Sequence, residues 1–145
     1  DNTTSDTEAS KPTTYKNSTV GYEIDYPTDA TLKDSDTSCV TIEYKTGYVT
    51  IAHKNKSTDC LRVVTGTKTT TTEKVTVDGK EYTATGSIKK GSDDKLSNHN
   101  ETLVITLSNG NKIEYGSLLS SSSTFEQYSD IREDILEIVT SYTNI

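Results

Sequence analysis

Tryptophan and methionine are missing from this chain of 145 residues, and phenylalanine occurs once. No apolar run is long enough to cross a bilayer as a helix, which argues against a transmembrane segment. Hydrophobic residues make up 30% of the chain, so the core must be thin, with the nine tyrosines as its main aromatic surface. This length and composition predict one small domain.

The chain also has few basic residues: 22 acidic residues outnumber 15 basic ones, and the net charge is -7. The basic residues are scattered, and none of their runs is longer than Lys89-Lys90. Proteins that bind nucleic acid usually present a basic face to the phosphates. The composition therefore argues against a nucleic-acid partner and favours solubility.

Motifs typical of an active site are also missing. His53 and His99 have no cysteine or carboxylate at ligand spacing, so each is interpreted as a surface residue. Serine is abundant without a Gly-x-Ser-x-Gly elbow, and the glycines form no phosphate-binding loop. We therefore expect no catalytic residue and no cofactor, and a protein that is not an enzyme.

Two acidic clusters, Asp34-Ser35-Asp36 and Asp93-Asp94, offer the oxygen ligands that calcium prefers. Neither continues into the loop pattern that supplies the remaining calcium ligands. Solvated acidic turns are the simpler interpretation, so no metal site is predicted.

Four Asn-x-Ser/Thr triplets begin at Asn2, Asn17, Asn55 and Asn100. Such triplets arise easily by chance in a chain so rich in serine and threonine. They bear on glycosylation only if a eukaryote exports the protein.

The chain has two cysteines, Cys39 and Cys60. If they are paired, they close a loop of about twenty residues, which the chain-entropy model values at roughly 3 kcal/mol. A thin-cored exported domain gains most from such a crosslink. Two buried free thiols are the alternative, because both cysteines adjoin apolar residues. We predict a Cys39–Cys60 disulfide.

The first fourteen residues are polar and contain one alanine and one proline, too little apolar surface to offset the entropy lost on ordering. We predict a flexible leader over residues 1–14 and a single globular domain over residues 15–145. The leader fits a mature exported protein whose signal or lipid anchor has been removed, and it also fits a cytosolic protein cut at an arbitrary position. A flexible leader suits a surface tether, so we favour an extracellular or cell-envelope location.

The helix signal is confined to the end of the chain, from Ser123 to Asn144. Ser123 and Thr124 each begin a capping-box pattern. Apolar residues then recur at spacings of three and four and form one stripe: Phe125, Tyr128, Ile131, Ile135, Leu136, Ile138, Val139 and Tyr142. This stripe must lie on another element, and a sheet is the available partner.

Elsewhere the apolar residues alternate with period two, which is typical of strands. We predict a strand over Val20–Tyr26 that ends at Pro27. Three hairpins follow: Val40–Tyr44 with Tyr48–Ala52, Glu73–Val77 with Lys80–Ser87, and Leu103–Leu107 with Lys112–Tyr115. In each hairpin the pattern predicts one apolar face and one solvated face.

Three polar stretches lie between these strands. Thr28–Ser38 fits either a loop or a short helix, and it is a candidate to cover a sheet edge. Thr65–Thr72 is interpreted as an extended connector and Ser87–Glu101 as a loop. The sequence as a whole predicts an α+β fold, in which an antiparallel β-sheet built from hairpins carries a C-terminal amphipathic helix packed on one face.

Tyr15, Gly21–Pro27 and the closing stretch Ile131–Tyr142 resemble the ends of PsbP/Mog1-type domains. In that family an aromatic-rich strand ends at Tyr-Pro and the last helix closes the domain. The tryptophan that many relatives place after the proline is absent from Thr28–Leu32. The resemblance implies an antiparallel sheet flanked by helices, used for binding or scaffolding in exported or membrane-associated settings, and it carries no catalytic residue.

Two main classes of function stay open. We expect an exported, non-enzymatic binding or scaffold domain, tethered at the cell surface through its leader and facing a protein or cell-envelope partner. The alternative is a structural subunit of a surface assembly such as an adhesin or filament. A small enzyme or carrier with a site assembled from loops is a third possibility.

Overall fold

The structure, a computed structural model, describes residues 12–56, 60–61, 69–89, 100–118 and 125–145. The elements in these ranges form two antiparallel sheets and a helix that packs against them, so the predicted α+β class is confirmed. They are β1 (Thr13–Asn17), β2 (Tyr22–Tyr26), β3 (Thr31–Asp36), β4 (Cys39–Tyr44), β5 (Gly47–Ala52), β6 (Thr69–Val77), β7 (Lys80–Lys89), β8 (Asn100–Thr106), β9 (Lys112–Leu118), α1 (Phe125–Thr140) and β10 (Thr143–Asn144).

The larger sheet has seven strands in the order β3-β4-β5-β9-β8-β7-β6. All three predicted hairpins are present in it, as the pairs β4–β5, β6–β7 and β8–β9. Asp78 and Gly79 have φ angles of 51° and 77°, the positive values that a tight type I′ connection requires. The turn signals therefore set the strand pairing as expected.

The smaller sheet has the order β1-β2-β10 and brings the two ends of the described chain together. In it Tyr22 stacks on Tyr142 with ring centroids 5.1 Å apart, and both rings are fully buried. Asn144 ties this sheet to the β6–β7 turn, because its Nδ2 donates to Asp78 Oδ2 at 2.9 Å. Strand β1 begins at Thr13, so it includes the last two residues assigned to the predicted leader.

The helix prediction was wrong at its C-terminal end. Helix α1 stops at Thr140, and Thr143 and Asn144 pair with β2 instead. The exposed edge of β2 offers main-chain partners that a longer helix would leave unused, and Ile145 N also donates to Gly21 O at 3.1 Å. The predicted capping residues, Ser123 and Thr124, lie outside the described residues.

The polar stretches were also predicted wrongly where the structure describes them. Residues 31–36 of the stretch Thr28–Ser38 form β3, which pairs with β4 and is neither a loop nor a helix. An edge strand is bonded on one side only, so it tolerates this Asp-rich sequence. Thr69–Thr72 belong to β6, in keeping with the preference of β-branched residues for strands. Residues 87–89 and 100–101 extend β7 and β8, and residues 90–99 lie outside the described part.

Helix α1 packs on the middle of the larger sheet, against β5 and β9, and also contacts β2 and β6. Five residues of the predicted stripe are buried and Leu136 is half-buried; the five are Ile131, Ile135, Ile138, Val139 and Tyr142. A Cβ added to Gly47 would come within 2.5 Å of the Ile135 side chain, so the helix sits directly on β5 at that glycine. Within the described residues no helix is long and apolar enough to span a membrane.

The predicted disulfide is confirmed. Cys39 and Cys60 are bonded, with their Cα atoms 5.6 Å apart. Cys39 begins β4 and Cys60 follows β5, so the bond ties the chain that leaves the β4–β5 hairpin back to the hairpin itself.

Candidate functional site

The residues singled out from sequence as possible ligands do not come together in one site. His53 follows β5, and its Nδ1 accepts a hydrogen bond from the Asn55 amide at 3.1 Å, as a turn residue would. Asp34 and Asp36 lie in β3, whereas Asp93, Asp94 and His99 fall outside the described part. Among the described residues no group of three or more His, Cys, Asp or Glu side chains is placed to hold a metal ion.

The Asn-x-Ser/Thr triplets differ in accessibility. Asn17 is 3% exposed, and its side-chain amide donates to Thr37 O at 2.8 Å. A sugar cannot be attached there without opening the small sheet. Asn55 is exposed on a turn, so it is the accessible one of these two positions.

An ionic cluster joins the helix to the larger sheet. Arg132 of α1 places Nη2 2.5 Å from Glu73 Oε2 on β6 and Nε 3.0 Å from Glu101 Oε1 on β8. Tyr115 of β9 donates its hydroxyl hydrogen bond to the other oxygen of Glu73. Four elements therefore contribute to this cluster, and the guanidinium binds the two carboxylates that the sheet turns towards the helix.

The electrostatics of this cluster fit a structural role. The Glu101 side chain is 4% exposed, and burial together with the hydrogen bond to Glu73 raises the pKa of Tyr115 well above its usual range. The tyrosine therefore stays protonated at neutral pH and keeps donating to Glu73. Because each of these groups is bonded to another member of the cluster, the arrangement holds α1 on the sheet and leaves little freedom to act on a substrate.

A second polar cluster lies on the opposite face of the sheet, where the sequence predicted a solvated surface. Tyr48 of β5 donates to Glu114 Oε1 of β9 at 3.2 Å, and its hydroxyl lies 3.3 Å from Thr102 Oγ1. Glu114 is fully buried, as are all six residues of β5. The prediction of a solvated face was therefore wrong at the centre of the sheet. It treated Thr and Glu as signs of solvent exposure.

The open site of interest is a groove of about 240 Å³ between the end of β2 and the C-terminal half of α1. The helix contributes a stripe at positions i, i+3, i+4 and i+7, formed by Asp134, Glu137, Ile138 and Ser141. The opposite wall is the end of β2 and its neighbours: Asp25, Tyr26, Pro27 and Pro12. We call this site the acidic groove.

Ser141 fixes the width of the acidic groove. Its hydroxyl accepts a hydrogen bond from the Asp25 amide at 2.9 Å and lies 3.1 Å from Asp25 O and 2.6 Å from Ile138 O. In register, Ser141 stands opposite Asp25, two residues before β10 begins to pair with β2 at Thr143. A serine side chain therefore takes the place of the next main-chain bridge, and the groove opens beside it.

The charge of the acidic groove is negative throughout. Its lining includes three carboxylates and no basic residue, and the last turn of α1 also has none. Among the described residues neither Asp134 nor Glu137 forms a salt bridge. Lys45, outside the groove, has its pKa raised mainly by Tyr44, with a smaller contribution from Asp134. The C-terminal end of a helix is itself partly negative, so the dipole adds to this field.

Sequence reasoning missed the acidic groove. It predicted a strand that ends at Pro27 and an amphipathic helix near the end of the chain, and each of these predictions concerns one element alone. Neither pattern shows that the strand end and the helix stripe face each other across a gap. The register of β10 on β2 creates that gap, and the sequence predicted helix where β10 lies.

Comparison with known proteins does not assign this chain to a family. No family model matches this chain, and neither does any curated protein. A crystal structure from Bacteroides thetaiotaomicron VPI-5482 aligns with it at a TM-score of 0.49 and 9% sequence identity. The alignment covers 94% of this chain and 49% of the other, so the chain spans about half the length of that protein. The resemblance to PsbP/Mog1-type domains stays a prediction.

Proposed function

We propose that this chain is an exported, non-enzymatic binding domain, tethered at the cell surface through the residues that precede β1, with the acidic groove as its binding site. The observation that carries the proposal is the groove itself. It combines an open concavity, the aromatic and proline surface of Tyr26 and Pro27, and carboxylates that form no salt bridge with described residues. Concave sites with apolar walls and a few polar groups are where proteins usually bind ligands.

The export part of the proposal is supported by the disulfide. Bonds such as Cys39–Cys60 persist in oxidising compartments and are rare in the cytosol. Thiol titration of the unfolded, unreduced protein from its source cells should find no free thiol. Two free thiols would contradict export. Protease added to intact source cells should also remove the domain, whereas complete protection would place it inside the cell.

The non-enzymatic part is supported by how the polar clusters are used. The cluster around Arg132 and the cluster around Glu114 each include a buried glutamate, Glu101 in the first and Glu114 in the second. The first cluster joins the helix to the sheet, and the second joins neighbouring strands within the sheet. Neither provides a nucleophile with a general base beside an open cavity.

The test of the binding role is an NMR titration of the isotope-labelled intact protein with a panel of short acidic, neutral, aromatic and basic peptides. At least one class should shift the amide signals of Tyr26 and Ser141. Tyr26→Ala should abolish that response, while Tyr82→Ala, which removes another half-buried tyrosine away from the groove, should retain it. A panel in which no peptide perturbs the groove contradicts the proposal.

The alternative, a structural subunit of a surface assembly, is favoured by one feature. Strand β6 is nine residues long and stands at the edge of the larger sheet, where a further strand can add. The exposed Lys74 on this strand opposes such pairing, since charged residues are a usual device for keeping edges apart. Sedimentation velocity over a range of concentrations should show a monomer if binding is the role, and progressive association if assembly is.

A further inference from the structure

We propose that the acidic groove binds a segment of a partner protein through one lysine or arginine side chain of that segment. This inference rests on the proposed binding role of the groove and names the chemistry of its ligand. It follows from the charge, the size and the apolar walls of the site, taken in turn.

The charge of the groove selects a cation. Asp25, Asp134 and Glu137 line it without a basic residue, and Glu137 lies in the last turn of a helix whose dipole disfavours a carboxylate there. Carboxylates in that position cost stability unless a positive group is close. Since the described part of the chain supplies no salt bridge to Asp134 or Glu137, a positive group from outside is the complementary partner.

A bare metal ion is a poorer match for these carboxylates than an organic cation. No three acidic, histidine or cysteine side chains in the described part of the chain are close enough to coordinate one ion. A guanidinium or ammonium group differs from a metal ion because it hydrogen-bonds to separate carboxylates through several N–H donors. The acids that line the groove therefore suit an organic cation.

The size and walls of the groove select a side chain. Its volume of about 240 Å³ is below the roughly 300–1,000 Å³ of pockets that hold drug-sized molecules. Tyr26, Pro27 and Ile138 offer apolar surface beside the acids. Lysine and arginine have this combination, a methylene stem that packs on apolar surface and a charged end that reaches polar groups. Tyrosine is also a favourable neighbour for a cation.

The experiment is an NMR titration of the intact protein with three blocked pentapeptides that differ at the central position, which is arginine, norleucine or glutamate with alanine elsewhere. We expect the arginine peptide to shift the amide signals of Tyr26, Asp134 and Ser141 and to bind more tightly than the norleucine peptide. Each of Asp134→Asn and Glu137→Gln should weaken it by about 2- to 5-fold, the range for exposed ion pairs. Glu133→Gln, on the exposed side of the same helix, should leave the affinity unchanged.

Other outcomes separate this inference from the proposed function. If the norleucine or glutamate peptide binds the groove as tightly as the arginine peptide, the cation inference is overturned and the binding role stands. If butylguanidine, which carries the same charged group, binds as tightly as the arginine peptide, the ligand is a small cation and the peptide segment is ruled out. If no peptide shifts the groove signals, both proposals fail.

Discussion

Helix α1 carries two sets of charges that behave in opposite ways. Arg132 is enclosed between the helix and the sheet, where its partners Glu73 and Glu101 hold it at 2.5 and 3.0 Å. Asp134 and Glu137, on the next part of the helix, line an open groove and have no salt bridge within the described part of the chain. Arginine, aspartate and glutamate are common on any charged helix. The two sets therefore differ in how far they are buried and in whether they are paired. Enclosed charges here fix the fold, and open charges remain available to a ligand.

The largest loss of stability is expected when the apolar contact between the helix and the sheet, which supports both regions, is removed. Ile135 is 2% exposed and rests on Gly47, so Ile135→Ala should lower the free energy of unfolding by about 2–5 kcal/mol. Glu133→Ala, on the exposed side of the helix, should change it by no more than about 0.5 kcal/mol. Urea denaturation compares the two variants, and equal effects would mean that the helix does not depend on this packing.

The next largest loss of stability is expected from the enclosed charge, and an exposed ion pair serves as its comparison. Arg132→Met takes the guanidinium from Glu73 and Glu101 and should cost about 3 kcal/mol, the low end for a buried pair because the arginine side chain is 27% exposed. Lys33→Met breaks the exposed pair between Lys33 and Glu43 and should cost less than about 1 kcal/mol. Thermal unfolding distinguishes them, and similar losses would show that enclosure adds nothing to the Arg132 pairs.

The enclosed cluster should also make the fold sensitive to alkaline pH. Burial and the bond to Glu73 raise the pKa of Tyr115, so the folded state keeps this proton above pH of about 10, where the unfolded chain loses it. This contribution is complete below the unfolded-state pKa and declines as the pH rises towards the folded-state value. Urea unfolding at increasing pH should show a shallower decline for Tyr115→Phe, with a remainder from Tyr142, whose pKa burial also raises. An unchanged slope would contradict the assignment.

The smallest expected change in stability comes from the open charges, and it is a gain where the other variants lose stability. Glu137 lies in the last turn of α1, where a carboxylate opposes the helix dipole, so Glu137→Gln should stabilise the domain by about 0.3–1 kcal/mol. Glu133→Gln, further from the helix end, should stabilise it less. Thermal unfolding in low salt measures the difference, and added salt should reduce it because the interaction is screened. A loss of stability in Glu137→Gln would mean that this carboxylate has a structural partner.

The enclosed region was more accessible to prediction from sequence than the open one. The helix stripe and the three hairpins follow from local spacing and turn residues, which act within a few positions of one another. The Cys39–Cys60 bond follows from there being two cysteines in the chain. The partners of Arg132 come from β6 and β8, and no local pattern links those positions to the helix. The groove depends on a contact between residues far apart in sequence, in which the Ser141 hydroxyl, just before β10, accepts a hydrogen bond from the Asp25 amide. Polar residues also misled the prediction, since β3 and the buried Glu114 look solvated in sequence.

The most direct test of this account measures stability and binding together in Arg132→Met and Glu137→Gln, with the arginine pentapeptide as the probe. The account predicts opposite responses. Arg132→Met should lose stability and keep its affinity for the peptide under conditions where it is folded, whereas Glu137→Gln should gain stability and bind about 2- to 5-fold more weakly. If stability and affinity fall together in both variants, the charges of α1 form one structural network and the division between enclosed and open charges is wrong.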